Sequence, residues 1–149
     1  MSVDGGRHDP ERGAAMVEFL GATVILLLPL VYLVLTLAQV QAGTFAVEGA
    51  AREAARAVVT ASSSAEGAAR AQAAVGIALA DQGFDGGGSL RLECSHDPCL
   101  TPGGTVATEV RLAVPLPFVP EALRSWVPLE IPVEAAHVGS VDQYGQARP

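Results

Sequence analysis

The sequence contains no lysine: its nine cationic side chains are all arginine, set against sixteen carboxylates, for a formal net charge of -7 over 149 residues. A chain of that sign repels a phosphate backbone, which argues against nucleic acid as a partner. Its two cysteines exclude a disulfide-dense miniprotein, and with only three histidines they leave little for a metal or nucleophile site. Aromatic residues are 5% of the chain and charged residues 17%. Hydrophobic residues nevertheless reach 50%, with a mean hydropathy of +0.35, so the chain is not disordered throughout. The length allows one ordinary domain, or a smaller one with an appendage. This composition points away from an enzyme and raises the question of where the hydrophobicity sits.

Much of it sits in one segment. Phe19 to Ala38 reads FLGATVILLLPLVYLVLTLA, twenty residues without a charge, and the uncharged stretch continues to Val47. Twenty helical residues rise about 30 Å, the hydrocarbon thickness of a bilayer. The core helix of so small a domain would show a polar face, and this segment has none. It predicts a single transmembrane helix, in which Pro29 and Gly21 are tolerated. The rival is a cleaved secretory signal, whose apolar region runs only about 7–15 residues, although Val40-Gln41-Ala42 has the small-residue pattern of a signal-peptidase site. Arg7, Arg12 and the α-amino group flank one end of the segment, and Arg52 and Arg56 the other. Their balance leaves the short polar flank and the cysteine pair to place the N-terminus in the cytoplasm and the C-terminal region outside.

The junction before the apolar run carries the most specific pattern. Residues 12–19 read RGAAMVEF: a basic residue, then Gly13, then Glu18 five positions after the glycine, then Phe19 and the apolar run. Glycine gives a protease an unhindered backbone in extended form. The preceding MSVDGGRHDPERG is polar and rich in turn formers, so it stays in water. Glu18 sits at the edge of the apolar helix, where a charge costs less than the roughly 2.5–3.5 kcal/mol of the helix centre. As a bland alternative, it is an interfacial acid favoured by the helix dipole. The junction resembles the type IV prepilin processing site, and the Glu-aromatic pair looks like the Flp/Tad branch of that family. With the apolar run and the segment VEGAAREAAR, the outline over residues 12–60 resembles the TadE-like minor pilins, or pseudopilins, of Tad/Flp pilus systems of high-GC Gram-positive bacteria. The resemblance implies cleavage by a prepilin peptidase between Gly13 and Ala14. The new Ala14 ammonium, or a neighbouring subunit's, would then pair with Glu18 beside Phe19. It also implies as partners other pilin subunits, the Tad secretion platform and the lipid bilayer. Major Flp pilins have almost no globular part, so the extra length here points to a minor or initiating subunit.

Beyond the membrane segment the reading is helical. Fifteen of the residues from Ala46 to Ala80 are alanine, and Glu48 and Arg52 form an i,i+4 pair in the favourable order. Val47, Ala51, Ala54, Val58 and Ala61 make a small-residue stripe, fitting either close packing against a partner or plain alanine enrichment of an exposed helix. Ser63 and Glu66 fit a capping box opening a second helix over about residues 65–81, with Val75 and Leu79 on its apolar face, Glu66 and Arg70 on the other, and Gly83 as its stop. Asp85-Gly86-Gly87-Gly88 is a loop without the lysine of a phosphate loop.

The last third changes to period two. Leu90, Leu92 and Cys94 form one apolar series, Val106 to Val114 a second and Leu129 to Ala135 a third, each alternating with polar or small residues. These predict three half-buried antiparallel strands, with Pro132 on an edge. A proline-rich connection holding Trp126 joins the last two. The fold class is therefore α+β: a long N-terminal transmembrane helix continuing into an Ala-rich helix, a second helix, and a small three-stranded sheet. The expected divisions are a leader over 1–13, the membrane helix over 14–42, a helical region over 43–83 and a β-rich region over 84–149.

Cys94 and Cys99 flank Ser95-His96-Asp97-Pro98. In an exported chain they form a disulfide closing a tight turn; free thiols, or a metal bound by Cys94, His96 and Cys99, are the alternatives, the last lacking a fourth ligand. His137, Glu109 and Glu134 read as ordinary strand residues, and no hydrolase, metalloprotease or paired-acid motif and no cofactor motif is present. The sequence thus predicts a non-enzymatic pilus or secretion-apparatus subunit. Its alternatives are a static membrane-anchored binding module and a secreted factor cut near Ala42.

Overall fold

A computed structural model describes residues 10–85, 88–119 and 129–149, with side chains from Ala14 onward. The leader before Pro10, and Trp126 in the proline-rich connection, lie outside the described residues. The architecture is α+β, as its sequence predicts: helix α1 (Pro10–Val59), helix α2 (Ser64–Ala80), then strands β1 (Gly88–Cys94), β2 (Thr105–Pro115) and β3 (Glu130–Ser140). Pro10 suits the first turn of α1, where its missing N–H has no intrahelical partner to lose. Pro29 lies inside the same helix.

The chain divides into two compact units, one up to Thr36 and one from Leu37 to Pro149. Ala42 and Gly43 already pack into the second unit. In the first unit the large apolar side chains from Met16 to Leu35 stand exposed, Ile25 at 76% and Leu26 at 75%. The Thr23 hydroxyl donates to the Phe19 carbonyl at 2.8 Å, so this helix satisfies that polar group internally. The Thr36 hydroxyl is buried with no hydrogen-bond partner among the described residues.

In the second unit, the small-residue stripe is the packing face. Ala46, Val47, Ala50, Ala51, Ala54 and Val58 are buried at helical spacing and share one core with α2 and the sheet. The partner left open by the sequence is therefore the chain's own sheet. The approach is close enough for the buried Thr108 hydroxyl of β2 to donate to the Ala51 carbonyl of α1 at 2.8 Å. Val75 and Leu79 of α2 enter the same core, together with Val106, Val110, Leu112 and Val114 of β2. Alanine and valine dominate it, so each residue buries little area and the core is thin.

The sheet is an antiparallel meander, β1-β2-β3, with Pro132 on the edge strand β3 opposite Ala113. Its outer face carries Arg111 between Glu109 and Glu134, with Arg111 Nε 2.5 Å from Glu109 and 3.2 Å from Glu134. Both carboxylates are thus ion-paired with Arg111, Glu109 along β2 and Glu134 across to β3, pairings that exposure holds to about 0–1 kcal/mol each.

Helix ends follow the predicted chemistry with one change. The Glu66 N–H donates to the Ser63 side chain at 3.3 Å, capping α2. The Glu66 carboxylate, however, reaches one residue further back than a capping box requires, accepting from the Ser62 N–H at 3.2 Å and from the Ser62 hydroxyl. These two donors hold the Glu66 carboxyl below the ordinary glutamate range. Gly83, at φ +82°, ends the helix in the left-handed conformation glycine permits. The C-terminal end of α1 has a cap from far along the chain: the Arg148 guanidinium donates to the Ala61 carbonyl at 2.7 Å and the Val59 carbonyl at 2.9 Å. A cation on those unpaired carbonyls also complements the helix dipole.

Candidate functional site

The first candidate is the N-terminal junction. Gly13, Ala14, Glu18 and Phe19 all lie on α1. Four helical residues rise about 6 Å, so Ala14 and Glu18 are neighbours one turn apart. Ala14, Glu18 and Phe19 are exposed, Phe19 at 70%. The Gly13–Ala14 peptide therefore lies in the first turns of a helix rather than in the extended backbone the sequence suggested. A protease acting there must first unwind the turn from Pro10, which lacks intrahelical partners for its leading N–H groups and frays most readily. After Glu18 comes the exposed apolar helix of the first unit, long and apolar enough by length and composition to cross a bilayer. An apolar surface this continuous on one helix is far beyond what soluble monomers expose, and marks a lipid or protein interaction surface.

The second candidate is the turn between β1 and β2. Cys94 and Cys99 are joined in a disulfide with their Cα atoms 5.2 Å apart, and the intervening Asp97-Pro98 peptide is cis. Both sulfurs are consumed there, so the alternative set of Cys94, His96 and Cys99 has no thiolate to offer a metal. Ser95 Oγ accepts from the Thr105 N–H at 2.8 Å and lies 2.8 Å from His96 Nδ1. Ser64, Cys94, Ser95, His96, Asp97 and Cys99 line a groove here. Ser95 and His96 are exposed, and the hydroxyl is engaged in fixing the turn. His137, on β3 opposite Thr108, is exposed as well.

Removing the disulfide by a paired Cys94→Ser, Cys99→Ser change is expected to cost about 2 kcal/mol, the loop-entropy value for so short a loop. A denaturant titration checks this. Maleimide should label neither wild-type cysteine without reductant, even after denaturation.

A third feature gave only a weak signal in the sequence. After β2 the chain continues as Leu116-Pro117-Phe118-Val119, and the Leu116 N–H still donates to the Leu129 carbonyl at 3.1 Å. Phe118 is 80% exposed and has φ +59°, a conformation rare for a bulky residue. The uncharged run VPLPFV was visible, but a proline-rich connection reads as a loop whatever it touches.

Comparison of the chain with protein-family models, with curated proteins and with solved structures finds no match in any of the three.

Proposed function

We propose that this protein is a single-pass membrane subunit of a Tad/Flp-type pilus or a related secretion apparatus, acting structurally rather than catalytically. One observation carries the reading. A single helix, α1, bears Gly13 and Ala14, then Glu18 one turn on, then the exposed apolar stretch, and finally the buried face that packs under the sheet. Each part has a use in a subunit drawn from a membrane into an assembly. Cleavage after Gly13 by a prepilin peptidase would free an ammonium at Ala14, one turn from Glu18. In an apolar environment an unpaired carboxylate is costly, so Glu18 would seek that ammonium or a neighbouring subunit's, which sets register between subunits. The apolar stretch would be held by lipid before assembly and by neighbouring subunits and the secretion platform afterwards. The disulfide suits an oxidising compartment, which supports a topology with the second unit outside the cytoplasm and the leader inside. Cutting near Ala42 instead would sever α1 where Ala42 and Gly43 pack into the core, which disfavours a secreted factor.

Glu18→Ala is the discriminating variant. It should insert in the membrane at wild-type levels and fail to assemble, as measured by crosslinking between subunits or recovery in sheared surface fractions. Wild-type assembly by Glu18→Ala would overturn the role of Glu18, and no assembly by the unaltered protein in the same assays would make it a static membrane-anchored binding module.

A further inference from the structure

The disulfide turn is fastened to more of the chain than the two strands it joins. Leu100, the residue after Cys99, is fully buried and bridges to Arg148. At the other end of the turn the Gly103 N–H donates to the Val141 carbonyl at 3.3 Å, and the Val141 N–H donates to the Gly104 carbonyl at 2.9 Å. Residues 141–149 are thus held by the turn near both of their ends, while Asp142 to Ala147 stand exposed between. The far end of this strap satisfies the junction of α1 and α2. Arg148 caps the Val59 and Ala61 carbonyls, and the Pro149 carbonyl accepts from the Ser64 N–H at 2.7 Å. These backbone groups lie at helix ends, which lack intrahelical partners.

The bond that closes the turn is open to attack. Cys94 is exposed and Cys99 half-buried, and both line a groove with Ser64, the first residue of α2. A thiolate entering that groove meets Cys94 first. The other ties within the turn are hydrogen bonds: Ser95 with Thr105, Thr101 with Pro98, and Gly104 with Thr101. Without the covalent tie, the segment that carries Leu100 gains the freedom of an open loop.

We propose that the Cys94–Cys99 bond is a redox latch on the strap of residues 141–149. A thiolate of a dithiol reductant attacks Cys94 Sγ, the S–S bond breaks, and Cys99 leaves as a thiolate. The second thiol of the reductant then displaces Cys94, and the reductant departs as a cyclic disulfide. Each cysteine takes up one of the two protons that the reductant gives up. Leu100 and Arg148 then part, and the α1–α2 junction loses its caps. The junction is open in a reducing compartment and closes on oxidation. The latch is a property of the second unit alone.

Linkage supplies the test: a cap made only in the oxidised protein must, when removed, ease reduction by the same factor. The full chain in detergent micelles is equilibrated with reduced and oxidised dithiothreitol, and its thiols are counted by maleimide mass shift; it has no cysteine besides these two. Arg148→Ala should raise the equilibrium constant for reduction about tenfold, the scale of one hydrogen bond to a charged group. Val114→Ala, which opens a cavity at the other end of β2, should leave the constant unchanged. A constant unmoved by Arg148→Ala would overturn the latch and leave the disulfide a static staple. An equal rise in both variants would overturn it in favour of unfolding of the whole unit on reduction. Wild-type protein gives a second reading that needs no variant to fold. On reduction, its Ser64 amide should exchange about tenfold faster relative to the Val110 amide of the core strand. Unchanged relative exchange would also overturn the latch.

Discussion

Replacing Leu100 with alanine is expected to destabilise the unit from Leu37 to Pro149 by about 2–5 kcal/mol, the range for burying a cavity in place of a leucine side chain. Leu100 is 0% exposed and is the largest fully buried side chain among the described residues. It follows the disulfide directly and forms an isolated bridge with Arg148, so it joins the β1–β2 turn to the segment that caps α1. The surrounding core is mostly alanine and valine, short and stiff side chains that cannot swing into the space. Domains hold only about 5–15 kcal/mol in total, so the loss is a large share of the stability. Hydrogen exchange of the β2 amides in the micelle-bound protein reads it directly. Leu100→Met, which roughly conserves volume, should cost less than about 1.5 kcal/mol and serves as the control.

Gly43→Val should be nearly as damaging, for the opposite reason. A Cβ at Gly43 would overlap the Val114 Cγ2 atom and lie 3.6 Å from Phe84 and from Val133. Val114 is buried on β2 and β-branched, so it has no alternative rotamer to retreat to without moving the strand. Overpacking of this kind costs about 1–3 kcal/mol, and a valine, with two further methyl groups, belongs at the upper end. Gly43→Ala separates the terms: it gains about 1 kcal/mol of helix propensity against the same overlap, so its net loss should be smaller. The same exchange experiment would show protection lost first at the Val114 end of β2. Equal stability of Gly43→Val and wild type would mean that α1 and the sheet do not meet as described.

The sequence announced these elements more clearly than their packing. Alternation located the three strands, because a half-buried sheet face must repeat every second residue. Ser63 and Gly83 located the ends of α2, because unpaired helix N–H and C=O groups demand particular side chains and backbone angles. What escaped were relations between distant residues. Gly43 looked like part of an apolar run, since composition cannot distinguish a face turned to lipid from one turned to a strand. Thr108 sits among valines and gave no hint that its hydroxyl reaches the Ala51 carbonyl, a bond spanning 57 residues of chain. Arg148 was one charge near the end of the chain, and its use as a cap on α1 depends on where the chain returns. At the candidate site, spacing identified Gly13, Glu18 and the apolar run, which are local. The helical state of the Gly13–Ala14 peptide was missed because the glycine and the turn formers before it outweighed Pro10 as a helix start.

The central claim is that α1 is the membrane helix of a processed, assembling subunit, and the mature N-terminus tests it most directly. The protein should be extracted from membranes of cells that contain a prepilin peptidase, and its N-terminus sequenced. The account predicts a chain beginning at Ala14, and one retaining residues 1–13 when the peptidase is absent or Gly13 is replaced by a bulky residue. A chain beginning at Met1 or Ser2 in the presence of the peptidase would contradict it.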